Sequence, residues 1–532
     1  MSALTGTRRL GRLAVRRERF IAPCWILLLG AMTVIMASYV ERWMSTPELL
    51  ARYTTMINEN SFFRAVGGDA VIADLGYMAA WRSGGALYVF CALAALTAVI
   101  RYTRADEDTG RTELLRAGVV SRYAALTTGL LVAGCVSLAC GVLPAGLMIA
   151  MGFDPTGSLT YGAGVTVSGL VFGAIAALAA QVAQNARTAR MISFSALGIS
   201  YLLRFAGDAS GQYWLKYASP LGWTHLVAPY RDNRLWILLI SLAVAAVLTA
   251  VAYRVAGVRD LGAGLVPERA GRATAPELRG PIRLSWRLNR GLFLKWAAGT
   301  GVFAVGAGGV TTMADQLENT PDSFATKLVE GFGGSPTATY FDNGLWAITL
   351  IVAYVVTLYP VLMVQRLRAE ETSGRTEALQ ATPISRLRWA GGHLVVTGLG
   401  TAALLALFGV LFGATFALIH GAPSNILRTT AGAVGTVPAA LLVGAVCMLA
   451  YGLLPRAAVA LSWLAWIATI VLGRIAGPLY DLWGGTPVEP FHYIPNTVAG
   501  DEFTPLPALV MVVATAALAG AGLLALRRRD FA

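Results

Sequence analysis

Charge is scarce in this sequence. Only 13% of its 532 residues are Asp, Glu, Lys or Arg, about half the ~25% usual in soluble domains. That excludes an ordinary soluble globular chain. No acidic residue falls well inside a long apolar run, so the buried carboxylates expected of ion-coupled transport are missing. Histidine is nearly absent: His225, His393, His420 and His492 are scattered and write no metal cluster. The five cysteines, Cys24, Cys91, Cys135, Cys140 and Cys447, all lie in apolar runs without a CxxC pair. They behave as small apolar residues, neither a disulfide framework nor a zinc site. Lysine occurs only at 216, 295 and 327, and none follows Gly or precedes Ser or Thr. The phosphate-cradling GxxxxGK[ST] loop is therefore not written, and no residue stands out as catalytic or metal-binding.

Apolar residues fill the gap, at 56% of the chain with a mean hydropathy of +0.62. They come in runs of the roughly 20 residues that a helix needs to cross a bilayer. Spans are expected near 21–40, 84–102, 124–150, 159–184, 189–206 and 235–255. A second set is expected near 291–313, 344–364, 389–419, 428–454, 457–477 and 505–526. The net charge of +13 would suit a nucleic-acid binder, but its placement argues otherwise. Thirty basic residues fall on one set of alternate connections and nine on the other. This is the positive-inside asymmetry, and it puts both termini in the cytoplasm with no nucleic-acid partner. The arginines at 8–19 precede a full-length first span with no small-residue cleavage site, so they are not expected to open a removable signal.

The chain repeats itself. Residues 104–122 and 368–386 align without a gap at an offset of 264, with eleven of nineteen positions identical. Arg204-Phe-Ala-Gly207 recurs as Arg474-Ile-Ala-Gly477, and Arg259-Asp260 as Arg529-Asp530, both at an offset of 270. Arg16, Arg19 and Trp25 recur as Arg287, Arg290 and Trp296. The expected fold is an all-α polytopic membrane protein of about twelve helices, in two tandem six-helix halves. Parallel repeats imply a pseudo-twofold axis along the membrane normal. The halves are expected at 1–255 and 286–532, joined by a cytoplasmic linker at 256–285.

The repeated segment follows the second span of each half, on the cytoplasmic side, and is dense in charge of both signs. Gly110 and Gly374 permit a turn, and a short helix is expected after each, near 111–117 and 375–381. Two near-identical charged elbows suggest two docking sites for a soluble partner; the plainer account is a solvated loop that diverged slowly. The pattern E-x-x-G-R-T-E-x-L with a following S-R resembles the cytoplasmic elbow and coupling helix of type-two ABC exporter permeases. One copy comprises Glu107, Gly110, Arg111, Thr112, Glu113, Leu115, Ser121 and Arg122. The other comprises Glu371, Gly374, Arg375, Thr376, Glu377, Leu379, Pro383, Ser385 and Arg386. Val119 stands where the second copy, and usually the family, has Pro, which leaves the equivalence of the two sites open. The run Ser219-Pro-Leu-Gly-Trp223 is similar to the duplicated actinobacterial subgroup of polyketide-antibiotic or tetronasin-type exporter permeases.

The resemblance covers nearly the whole chain. It implies an inner-membrane permease that exports small amphipathic or hydrophobic compounds such as antibiotics. ATP and Mg2+ would be bound by two copies of a separate nucleotide-binding subunit, with no cofactor in this chain. It also implies that the second and fifth spans of each half face a central cavity, which makes Phe90, Tyr354, Phe194, Tyr201, Trp463 and Trp466 candidates for the substrate path.

Arg204 and Arg474 lie near the outer ends of matching spans, with Asp208 and Asp481 as possible partners in an outer gate; snorkelling to the interface explains the arginines equally well. Segments 9–20 and 282–292 mix Arg with apolar residues, as in helices lying on the inner leaflet, or simply carry flanking charge. Gly169–Gly173 and Gly409–Gly413 have the spacing of close helix contacts. Two other classes stay open. An ion-coupled secondary transporter requires carboxylates inside spans, and a polytopic lipid-linked transferase requires clustered Asp, Glu or His on one face of an asymmetric chain.

Overall fold

The computed structural model describes residues 5–59, 64, 67–68, 70–112, 120–260, 262–265, 274, 278, 280–310, 339–473 and 489–529. Most of these are helical, and none of them lies in a strand. The chain divides into two compact units, Met1–Gly271 and Arg272–Ala532.

The first unit opens with α1 (Thr7–Glu18), α2 (Ile21–Trp43), α3 (Pro47–Glu59) and α4 (Leu75–Ile100). It continues through α5 (Ala124–Ala150), α6 (Pro155–Val182), α7 (Ala186–Ser210), α8 (Tyr213–Tyr217), α9 (Pro220–Leu226) and α10 (Leu235–Val258). Polar residues punctuate the apolar runs. The Asp154 and Asn185 side chains cap the first turns of α6 and α7 by accepting from Gly157 and Thr188 N–H. Helices α4 and α6 form the interior, around Leu87, Tyr88, Cys91, Tyr161 and Phe172. Helix α5 meets α6 where Gly141 and Gly162 face each other. A Cβ on either would stand within 2.4 Å of the other's carbonyl oxygen, so the approach requires glycine on both sides.

The second unit comprises α11 (Pro281–Val310), α12 (Tyr340–Val356), α13 (Leu358–Thr372), α14 (Arg375–Gln380) and α15 (Arg386–His420). Then come α16 (Ser424–Gly435), α17 (Val437–Leu453), α18 (Ala458–Leu472) and α19 (Pro505–Arg528). Its core gathers Trp346, Leu350, Tyr354, Tyr359, Phe408 and Phe412. Pro360 and Pro438 each lack an N–H to donate back along the helix, and the breaks at Thr357 and Thr436 fall just before them. Gly409 and Gly413 of α15 lie against α16, where the Thr429 hydroxyl donates to the Gly409 carbonyl at 2.8 Å.

Among the described residues, nine helical stretches are long and apolar enough to cross a membrane. Helices α7, α11 and α18 stand where further spans are expected but fall short of that length or apolarity. The interior of α7 carries Arg190 and Arg204, α11 begins with an arginine-rich turn, and α18 is described for only 15 residues.

Candidate functional site: the duplicated elbow

In the first unit α4 does not stop at the apolar boundary. It runs on through a π turn at Arg101–Ala105 and a last turn at Asp106–Asp108. Gly110 then takes a left-handed conformation, φ 71°. In the second unit α13 stays α-helical to Thr372, and Gly374, φ 70°, starts α14. Neither glycine is crowded, so the backbone angle alone demands it. The short helix expected after Gly374 is present as α14. Of its first-unit counterpart only Arg111 and Thr112 are described, and Glu113 and Leu115 lie outside the described residues.

The inner face of each elbow is an ion cluster that ties it to the end of the unit's last helix. In the first unit the Arg104 side chain is fully buried. It meets Glu107 at 3.1 Å and donates to the carbonyls of Ala180 and Ala263, both at 3.0 Å. Glu107 also accepts from Arg259, just past α10, at 3.0 Å and from the Gly262 N–H at 2.7 Å. Arg122 closes the loop by donating to the carbonyls of Gly257 and Arg259. In the second unit Glu371 accepts two parallel bonds from Arg529, just past α19, at 2.8 and 2.9 Å. Arg368 stands 3.3 Å away, the Tyr451 hydroxyl donates to Glu371 at 2.8 Å, and Arg386 donates to the Arg529 carbonyl. Four repeated positions thus build one clamp twice: 104, 107, 122 and 259 against 368, 371, 386 and 529. The recurrence of Arg259 and Arg529 was visible in the sequence, but their partners were not.

A second tie runs to the helix that opens each unit, α1 and α11. Arg17 pairs with Asp106 at 2.7 Å, and Glu18 with Arg101 and, at 2.9 Å, with the Tyr102 hydroxyl. The Asp106 carboxylate holds the Arg17 guanidinium above its usual range. In the second unit Arg366 donates to Asn289 Oδ1 at 2.5 Å and to the Leu288 carbonyl at 3.0 Å.

With the inner face occupied, the outer face is what remains for a partner. Arg111 is exposed, as are Gly374, Arg375, Glu377, Pro383 and Ser385. Thr112 and Thr376 point inward and Leu379 packs on the core. Ser385 caps α15 by accepting from the Arg388 N–H at 3.3 Å, and Ser121 donates its backbone N–H to Thr5 at 2.9 Å.

Arg204 and Asp208 do face each other, buried, at 3.5 Å. The shorter contact comes from Lys216 of α8, whose ammonium lies 2.7 Å from the Asp208 carboxylate. Lys216 is one of the nine basic residues counted on the outer connections, and its side chain is buried. Burial, with Arg204 and Lys216 nearby, pushes His225 of α9 well below its ordinary pKa, which leaves the imidazole neutral. Arg474 and Asp481 lie outside the described residues.

The six aromatics do not form one set. Phe90 tilts against Trp25, and Tyr201 stacks on Phe205. Tyr354 is buried and donates to Glu489 at 2.9 Å. Trp466 donates to the Tyr354 carbonyl at 3.0 Å and lies edge-on to Trp463. Phe194 and Trp463 are exposed, at 41% and 39%, as expected of side chains facing lipid or a cavity. An open cleft of about 510 Å³ runs beside α13, lined by Leu292, Leu362, Gln365, Arg366, Arg368 and Val459. Among the described residues no group of His, Cys, Asp and Glu is placed to hold a metal ion.

Two comparisons with known proteins agree. A family model, the C-terminal domain of the multidrug efflux system permease Rv1217c, matches residues 10–255 and 278–527. The chain is also 39% identical over 537 residues to the multidrug efflux system permease protein Rv1217c of Mycobacterium tuberculosis, covering 99% of this chain and 96% of that protein. A repeated elbow, two helical units with many membrane-length helices and a full-length match lead to one conclusion: the chain is a multi-pass membrane protein that belongs to the Rv1217c family of multidrug efflux system permeases.

Proposed function

We propose that this chain is the membrane-embedded permease of an ATP-driven exporter, moved by two copies of a separate nucleotide-binding subunit. The cargo is a small amphipathic or hydrophobic compound, in line with the multidrug efflux assigned to the mycobacterial relative. Twelve spans, an inner-membrane location and cytoplasmic termini complete the reading, on the strength of the arginine asymmetry.

The elbows carry the argument. Each presents exposed charges on its outer side and is anchored on its inner side by a buried clamp. An external motor needs a lever that resists bending locally and passes displacement to the spans. The Glu–Arg clamps join the end of the second span to the end of the last one, so a push at the elbow moves both. ATP chemistry belongs to the partner, and the permease contributes a path and two handles.

The test is co-expression with a Walker-motif ATPase from the same operon. The expected complex has one permease to two ATPase copies, and charge reversal at Glu113 and Glu377 together abolishes both association and stimulated hydrolysis. Survival of both properties in that variant removes the docking assignment.

One observation favours a proton-coupled alternative. Glu489, in the connection before the last span, is buried and accepts from the Tyr354 hydroxyl of α12, a site beside a span where a transported proton would be held. If a pH gradient alone drives export and Glu489→Gln abolishes it, that alternative replaces the ATP-driven one.

A further inference from the structure

The first helix has an outer face that the elbow does not use. Along α1, residues 8, 12, 15 and 19 form one stripe and 9, 13, 16 and 20 its neighbour, by the 4-3-4 spacing of helical contacts. Arg8, Arg9, Arg12, Arg16 and Arg19 are all exposed on these stripes. Interleaved with them are Leu13, Val15 and Phe20, exposed at 46%, 69% and 68%. The one acid of the helix, Glu18, is buried on the opposite face and held by Arg101 and Tyr102. Among the described residues, Arg8, Arg9, Arg12 and Arg16 have no ion pair.

We infer that the outer face of α1 is a docking surface for the headgroups of anionic phospholipids. Charge and apolarity together select this occupant. A row of guanidinium groups attracts phosphodiesters, and the apolar side chains between them enter the acyl boundary just beneath. An acidic soluble protein would match the charges but leave Val15 and Phe20 in water. Position agrees, since only Arg19 and Phe20 separate α1 from the membrane-length helix α2. The start of α11 repeats the design: Arg283, Arg287 and Arg290 are exposed beside Ile282, Trp286 and Leu288, while Ser285 and Asn289 are buried beneath.

The surface is not isolated. Arg17 on the inner side of α1 holds Asp106 at 2.7 Å, and Glu18 holds Arg101. Headgroups bound outside therefore bear on the same body as the elbow, and lipid charge becomes a means of setting the elbow's position.

The experiment uses the full chain, purified in a neutral detergent and titrated with phosphatidylglycerol or phosphatidylcholine, with bound lipid counted by native mass spectrometry. The unsubstituted chain is expected to prefer phosphatidylglycerol, less so as salt rises. Each of Arg8→Gln, Arg9→Gln, Arg12→Gln and Arg16→Gln is expected to weaken that preference by roughly fivefold at low salt. Lysine at all four positions is expected to retain most of it. Equal binding of the two lipids overturns the proposal, as does an unchanged preference in the quadruple glutamine variant. So does loss in the lysine variant, which would point to a partner that reads guanidinium geometry. The readout is lipid bound, so it stands or falls independently of ATP-driven export.

Discussion

The two elbows solve one problem with different neighbours. Glu107 in the first unit is held by Arg104, Arg259 and one backbone N–H, whereas Glu371 has Arg368, two parallel bonds from Arg529, and Tyr451. Position 181, the counterpart of Tyr451, is Gln, whose amide donates to its own helix instead. The tie to the helix that opens each unit differs more. It consists of ion pairs in the first unit and an arginine–asparagine bond in the second. The adjacent acid diverges too: Asp106 meets Arg17 and Arg111, while Glu370 lies 3.5 Å from His393. What both units keep is a glutamate and three arginines, and what they vary is everything that supports them. The clamp is thus the part the two units share, and its surroundings differ from one to the other.

The comparison is broken most severely at Glu371. Glu371→Ala leaves Arg368 and Arg529 without their buried acid and is expected to cost about 3–5 kcal/mol, seen as a lower unfolding temperature in detergent. Exchanging the charges, Glu371→Arg with Arg529→Glu, is expected to recover part of that loss. If it recovers none, the pair is not the unit that matters. Glu107→Gln is expected to cost about 1–3 kcal/mol, because the Gly262 N–H still finds an acceptor. An equal cost for Glu107→Gln and Glu371→Gln would mean that the two clamps are equivalent. Tyr451→Phe removes one of the three groups around Glu371 and is expected to cost roughly 1.5 kcal/mol, with no counterpart effect from Gln181→Ala. Smallest in stability, within about 0.5 kcal/mol, is the exposed Glu377→Arg. It is nonetheless expected to abolish ATPase stimulation when combined with the same change at Glu113.

Much of this architecture was legible because it rests on local pattern. Apolar runs of bilayer length gave the helices, and the turn at Gly110 and Gly374 followed from a residue type whose backbone freedom is unique. The clamps were not legible, because Glu107 and Arg259 lie 152 residues apart and Glu371 and Arg529 lie 158 apart. Periodicity carries no information on pairs that meet only after two separate helices pack. Arg104 illustrates the cost. Its repeat looked like surface charge for a partner, yet its side chain is fully buried within its own unit. Lys216 shows the same limit: its place between spans says nothing of its partner, and the turn from α7 into α8 brings it onto Asp208. The six candidate aromatics share spans but differ in surroundings, since a helix turns each residue about 100° from the last.

The central claim is that the outer faces of the elbows are handles for an external ATPase. A photo-crosslinking residue placed at position 111, 375 or 371 in cells that also express the neighbouring ATPase tests it directly. The account predicts an ATPase adduct from the exposed positions 111 and 375 and none from the buried position 371. No adduct from either exposed position, in cells that still export drug, would contradict it.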